Sequence, residues 1–189
     1  MDDTIKTLIQ IVSPFIGAAL GVFLVPLIEK RKSNQQINEL IDNYKEELSD
    51  IELQASDAAK SLHQAYLDLE KYNNGELTSV MFHGLTKIET YFIEDTLKKA
   101  YSKISHDERK ALKALKFMIN EFNTINANIV AQILTHSQEI NFKKPMSYAV
   151  DIYWICNRIN STTVFKYAPN HSNEIEHQKA LAALHIPSI

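Results

Sequence analysis

The residues of this chain that could do chemistry are few, and their spacing is the first thing to test. Histidines stand at 63, 83, 106, 136, 171, 177 and 185. Glu174 and His177 form a Glu-x-x-His pair that one helix turn would present together to a metal. A carboxylate-bridged di-iron bundle needs two such pairs and two further carboxylates, and no second pair exists in the sequence. No metal and no cofactor are therefore expected. Cys156 is the only cysteine, so an intrachain disulfide is impossible and a thiolate metal site lacks ligands. Its neighbours Tyr153, Trp154 and Ile155 favour a buried structural thiol over a nucleophile. No Gly-x-Ser-x-Gly elbow, phosphate-cradling glycine loop or zinc-helix motif is present. The catalytic set read from the sequence is empty.

One further chemistry needs only an arginine and a histidine. HEPN-like RNA-cleaving bundles carry an Arg followed four to six residues later by His. Arg31 is followed at that distance by Gln36, Ile37 and Asn38, Arg109 by Ala114, Leu115 and Lys116, and Arg158 by Thr163, Val164 and Phe165. Asn157-Arg158 stands where such a signature would start, without its histidine. An active nuclease is not expected, and a degenerate relative is the main enzymatic alternative.

The elements that would hold these residues begin with a membrane pattern. Residues 7–28, TLIQIVSPFIGAALGVFLVPLI, carry no formal charge, and after Glu29 come Lys30, Arg31 and Lys32. At about 1.5 Å per residue such a helix reaches roughly 33 Å, enough for one bilayer crossing. Asp2 and Asp3 precede the apolar run and the basic cluster follows it, the reverse of a secretory signal. The same bias directs residues 30 onward to the cytoplasm, across the inner membrane if the cell is bacterial. Anionic lipid head groups are the natural partners of Lys30, Arg31 and Lys32. Ser13, Gly17 and Gly21 recur every fourth residue, a small-residue stripe suited to close helix association.

Residues 33–189 suffice for one domain with a real core. Net charge is −3 and the basic residues are interspersed with acidic ones, so there is no strong nucleic-acid signal. From Ile37 to Tyr72 the core positions of a seven-residue repeat hold Ile41, Leu48, Ala55, Leu62 and Leu69, with Ile37, Tyr44, Ile51, Ala58, Ala65 and Tyr72 at the second position. Every one is apolar or aromatic, which predicts a long helix. Leu40, Leu53, Tyr66 and Leu67 widen the stripe toward bundle packing, while Glu46, Glu47, Asp50, Glu52, Asp57 and Asp68 are expected on wet faces. Ser33 with Gln36 offers a capping box; alternatively the span continues through residues 29–36 into this helix.

Asn73-Asn74-Gly75 predicts a helix C-cap and turn. A second helix is expected from about Leu77 to Ile104, on the spacing of Val80, Met81, Leu85, Ile88, Phe92, Leu97, Tyr101 and Ile104, with Gly84 disturbing its first turns. Ser105 and Glu108 form a capping box that opens a third helix to about His136. Its heptad series, Leu112 to Ile133, has one polar member, Asn126, which either fixes register inside the core or turns to solvent. Pro145 suits the first turn of a fourth helix ending near Asn160. Pro169 separates it from a last helix at about Asn173–Leu184.

The expected fold is all-α: a single transmembrane helix over residues 1–32 with its basic flank, then a cytosolic four- to five-helix bundle over 33–189 with one long heptad helix at 37–72. This layout is similar to that of the small membrane-anchored accessory proteins of bacterial antiviral type VI-B CRISPR systems. The resemblance implies a degenerate RNA-cleaving-type bundle, homo-oligomerisation and an effect on membrane integrity, and it transfers no individual residue.

The expected function is a non-enzymatic, self-associating membrane effector or accessory subunit, pore formation included, with the lipid bilayer, a second copy and a cytosolic protein as partners. Self-association would use Ser13, Gly17 and Gly21 in the span, and Ile41, Leu48, Ala55, Leu62 and Asn126 in the bundle core. The alternative is a coiled-coil tether that recruits a cytosolic partner to the membrane. The degenerate HEPN-like RNase is third.

Overall fold

The structure is a computed structural model that describes residues 3–80, 82, 84–134, 140–162, 165–167 and 173–187. Among the described residues it is all-helical, with five helices: α1 Asp3–Asn73, α2 Ile93–Lys99, α3 His106–Leu134, α4 Lys143–Ser161 and α5 Asn173–Ala183. No strand occurs among the described residues. Met81, His83, His136, Thr163, Val164, Pro169 and His171, named above, lie outside them. The chain divides into two compact units, residues 1–41 and 42–189.

In the first unit the described side chains from Val12 to Gln36 are all exposed, among them Phe15, Val22 and Phe23 at 73%, 68% and 71%. The helix runs without a break past Pro14 and Pro26 and through residues 29–36, so Ser33 and Gln36 do not cap a new helix. One helix is thus long and apolar enough to cross a membrane.

In the second unit the heptad stripe becomes core. Tyr44, Leu48, Ile51, Ala55, Ala58, Leu62 and Ala65 are all buried, whereas Tyr72, at the end of the stripe, is 47% exposed. Leu112, Leu115 and Phe122 of α3 and Val150, Ile152 and Cys156 of α4 are buried too. Polar bridges tie the inner part of α1 to α3 and α4: Tyr44 Oη donates to Glu108 Oε1 at 3.3 Å, and Asn157 Nδ2 donates to Glu52 Oε1 at 2.8 Å. Helix α3 packs on α4, α4 on α5, and the short α2 on α3.

The helix ends follow local chemistry. Gly75 has φ +77° just past α1, and Glu76 N–H donates back to Lys71 O at 2.9 Å, satisfying carbonyls that a helix end leaves open. At α3 the capping box closes reciprocally, with Ser105 N–H donating to Glu108 Oε2 at 2.8 Å and Glu108 N–H to Ser105 Oγ at 3.1 Å. Pro145 is buried in the first turn of α4, where its missing N–H costs no helix bond.

The helix expected over 77–104 does not form as such. The described residues between Leu77 and Phe92 are non-helical, and only Ile93–Lys99 coils. Three side chains of the flanking helices take the backbone groups that a helix would have paired internally. Asn123 Oδ1 accepts from Ile88 N–H at 3.0 Å while its Nδ2 donates to Ile88 O at 2.8 Å. Asn126 Nδ2 donates to Leu85 O at 2.9 Å. Glu47 accepts the N–H groups of Tyr91, Phe92 and Ile93, the last at 2.9 Å. Gly84 sits at φ +77°, and a Cβ there would stand 3.2 Å from Val130 Cγ2, so both conformation and space call for glycine. Of the apolar residues read as a helix face, Ile88 anchors the non-helical strap that forms instead, 1% exposed, whereas Phe92 and Tyr101 are exposed.

Two polar residues are corrected by the same strap. Glu47, expected on a wet face, is 7% exposed because it caps α2. Asn126 is 6% exposed, which decides between the two places open to it in favour of the core.

Candidate functional site

Two features of the molecule are built for something other than the core. The first is the exposed apolar stretch of α1. Ser13, Gly17 and Gly21 are exposed on it, and nothing lies within 4 Å of a Cβ built on either glycine. Lys30, Arg31 and Lys32 follow, all exposed. The described part of this stretch therefore has no covering group inside its own unit, and its small residues leave the backbone open on one side.

The second is a cavity of ≈ 370 Å³ in the second unit, lined by α4, by the segment 165–167, by α5 and by Met118 of α3. Helical spacing on α4 brings Asp151, Trp154, Ile155 and Arg158 to one face. Helix α5 is seated by buried Ala180 and Leu181, with Leu184 and Ile186 just beyond it, and this anchoring turns Glu176 and His177 toward α4.

A hydrogen-bonded cluster results. Glu176 Oε2 accepts from Arg158 Nη1 at 2.7 Å and from the Trp154 indole N–H at 2.8 Å, while Glu176 Oε1 accepts from Lys179 Nζ at 2.8 Å. One carboxylate thus collects three donors. The Lys179 hydrogen bond, chiefly, holds the Glu176 carboxyl below its ordinary range; burial opposes this, and Trp154 and the charges of Lys179 and Arg158 assist. His177 Nδ1 lies 2.8 Å from Asp151 Oδ1. In the lining of the same cavity, the rings of Phe165 and Tyr167 stack with centroids 6.5 Å apart. Burial and the Asp151 charge raise the Tyr167 hydroxyl pKa.

The structure distributes the residues singled out from sequence unevenly. Leu48, Ala55 and Leu62 are fully buried within the single chain, and Ile41 is half-buried. Cys156 is buried, and desolvation, reinforced by Glu52 and Glu47, pushes its thiol well above the usual value, which suits an inert core thiol. The Glu174/His177 pair does not converge: Glu174 is exposed and away from the cavity, and His177 turns to Asp151. Among the described residues no group of three or more His, Cys, Asp or Glu side chains is placed to hold a metal. Arg158 and His177 do line one cavity, although nineteen positions separate them. The acidic residue that matters there, Glu176, was hidden in sequence among other polar residues of α5.

Fold and site together define an all-α protein with one helix fit to cross a membrane and a polar, aromatic-walled cavity in its bundle. No protein-family model, curated protein or solved structure matches this chain.

Proposed function

We propose that this chain is a membrane-anchored, non-enzymatic helical protein that self-associates through its span and acts as a membrane effector or accessory subunit. One observation carries the reading: a run of large apolar side chains, Phe15, Leu20, Val22, Phe23, Val25, Leu27 and Ile28, every one at least half exposed. Apolar surface on that scale is costly in water and is removed by a bilayer. Lys30, Arg31 and Lys32 then meet anionic head groups, and the Lys/Arg bias supports a cytoplasmic bundle.

Between copies, the exposed stripe of Ser13, Gly17 and Gly21 gives the contact. In lipid, apolar side chains gain little from meeting one another, and association depends on close backbone approach over small residues. The buried heptad positions of α1 are occupied within the chain, which supports assembly through the span rather than through an intermolecular coiled coil. A pore made by such an assembly would be lined mainly by small and apolar groups. The resemblance in layout to membrane accessory proteins of antiviral systems extends the proposal to a role in defence.

The test exchanges residues 7–28 for a poly-leucine span and also substitutes Gly17→Leu with Gly21→Leu. In mass photometry of detergent-solubilised protein, the wild type is oligomeric and both variants shift to smaller species. Dye release from liposomes then separates a pore from a scaffold. A wild-type monomer, or oligomers untouched by both changes, removes self-association and leaves the tether that recruits a cytosolic partner.

A further inference from the structure

The donors around Glu176 make an oxyanion site that the chain fills with its own carboxylate. Arg158 Nη1, Trp154 Nε1 and Lys179 Nζ converge on the two oxygens of one side chain at 2.7–2.8 Å. The Arg158 and Glu176 side chains retain 31% and 22% of their exposure, so the pair is reachable from the cavity mouth. An ion pair exposed to that degree contributes only modest net stability, and with α5 also seated by buried Ala180 and Leu181 a stronger anion can replace Glu176 without unfolding the helix that carries it.

Beside this oxyanion site lies an aromatic compartment. The Trp154 ring has the Arg158 guanidinium 6.0 Å from its centroid, and the stacked Phe165 and Tyr167 rings form part of the same wall. The volume, ≈ 370 Å³, falls in the lower part of the range of small-molecule sites. A planar ring would lie against aromatic faces while an attached oxyanion reached Arg158 and the indole N–H, a bidentate-capable cation beside a neutral donor. Asp151, at the same wall, accepts hydrogen bonds and offers a partner for a sugar hydroxyl.

We infer that this cavity binds a nucleoside monophosphate or a ligand of the same chemistry, an aromatic ring joined to one phosphate, with the phosphate displacing Glu176 from Arg158 and Trp154. The site belongs to the bundle and does not depend on how the span assembles.

Trp154 is the only tryptophan of the chain, so intrinsic tryptophan fluorescence reports on this cavity alone. The experiment titrates AMP, adenosine and inorganic phosphate into the full-length protein in detergent micelles. AMP gives a saturable change in Trp154 emission, and adenosine and phosphate each require at least roughly tenfold higher concentrations, since each lacks half of the contacts. Glu176→Gln removes the competing negative charge and tightens AMP binding severalfold, an outcome that loss of structure cannot mimic. Arg158→Gln weakens AMP without a matching effect on adenosine. The inference is overturned if AMP produces no saturable change in wild type and in Glu176→Gln, if adenosine binds as well as AMP, or if Glu176→Gln weakens AMP.

Discussion

Asn123 holds both backbone groups of Ile88, accepting its N–H at 3.0 Å and donating to its carbonyl at 2.8 Å. A single side chain on α3 thereby does for the strap what a neighbouring strand does for a sheet edge, at Ile88, the one described strap residue that is buried.

Replacing Asn123 by Leu leaves both backbone groups of buried Ile88 without this partner, and each unpaired buried group costs about 1–3 kcal/mol. The expected loss is about 2–4 kcal/mol in urea unfolding followed by Trp154 fluorescence. Asn126→Leu should cost less, about 1 kcal/mol, because Asn126 makes one strap bond while its Oδ1 is buried without a partner. Equal losses at the two positions would contradict the assigned roles.

Glu47 accepts from the amides that begin α2, using both carboxylate oxygens. Glu47→Ala removes the partner of three N–H groups and is expected to cost about 2–4 kcal/mol. Glu47→Gln keeps one acceptor oxygen and should fall between. Hydrogen exchange of the Phe92 and Ile93 amides, measured by NMR or mass spectrometry, should accelerate in the same order.

The polar lock of α5 depends on pH through Glu176. Its carboxyl titrates below the ordinary 4.5 because the folded state favours the charged form. Its stabilising contribution is therefore complete above that unfolded-chain value and disappears as pH falls through the lower folded one. The groups facing it are Arg158, Lys179 and Trp154, with the Asp151–His177 pair alongside. Trp154 emission should shift as acid is added below about pH 4.5, and the difference between wild type and Glu176→Gln isolates the Glu176 share. No difference between the two titrations would remove the lock.

Cys156 should resist modification. Fully buried, and with its thiol pKa raised first by desolvation and then by Glu52 and Glu47, it offers almost no thiolate. A disulfide-exchange reagent should label it only through opening of the bundle, at a rate that rises with urea. Prompt labelling of the native protein would contradict the packing of α4.

What was legible in the sequence follows the range of the interactions. The capping box of Ser105 and Glu108, the Gly75 turn and the Tyr44–Ala65 part of the core stripe of α1 are written in local spacing, and the structure has each where the pattern put it, while Ile37, Ile41 and Leu69 are only partly buried and Tyr72 is exposed. The strap was not legible, because the partners that prevent a helix there lie 35 to 46 positions away, on Asn123 and Glu47. Leucines and isoleucines at helical spacing were thus read without the competitors for their backbone. The cavity failed for the same reason. Arg158 and Glu176 are 18 positions apart on different helices, and a search for an Arg and a His within one short motif passes over a site assembled by packing.

The strap also redistributes where this protein tolerates mutation. A segment paired by a strand or coiled into a helix owes its geometry to its own backbone, and substitutions along it are felt locally. Here the exposed side chains of Lys87, Glu89 and Tyr91 pair with one another within the strap, so that part of the segment can drift in sequence. The constraint sits instead on three residues of distant helices, Glu47, Asn123 and Asn126, and on Gly84. Related chains would be recognised by keeping that quartet, even where the strap between them no longer aligns.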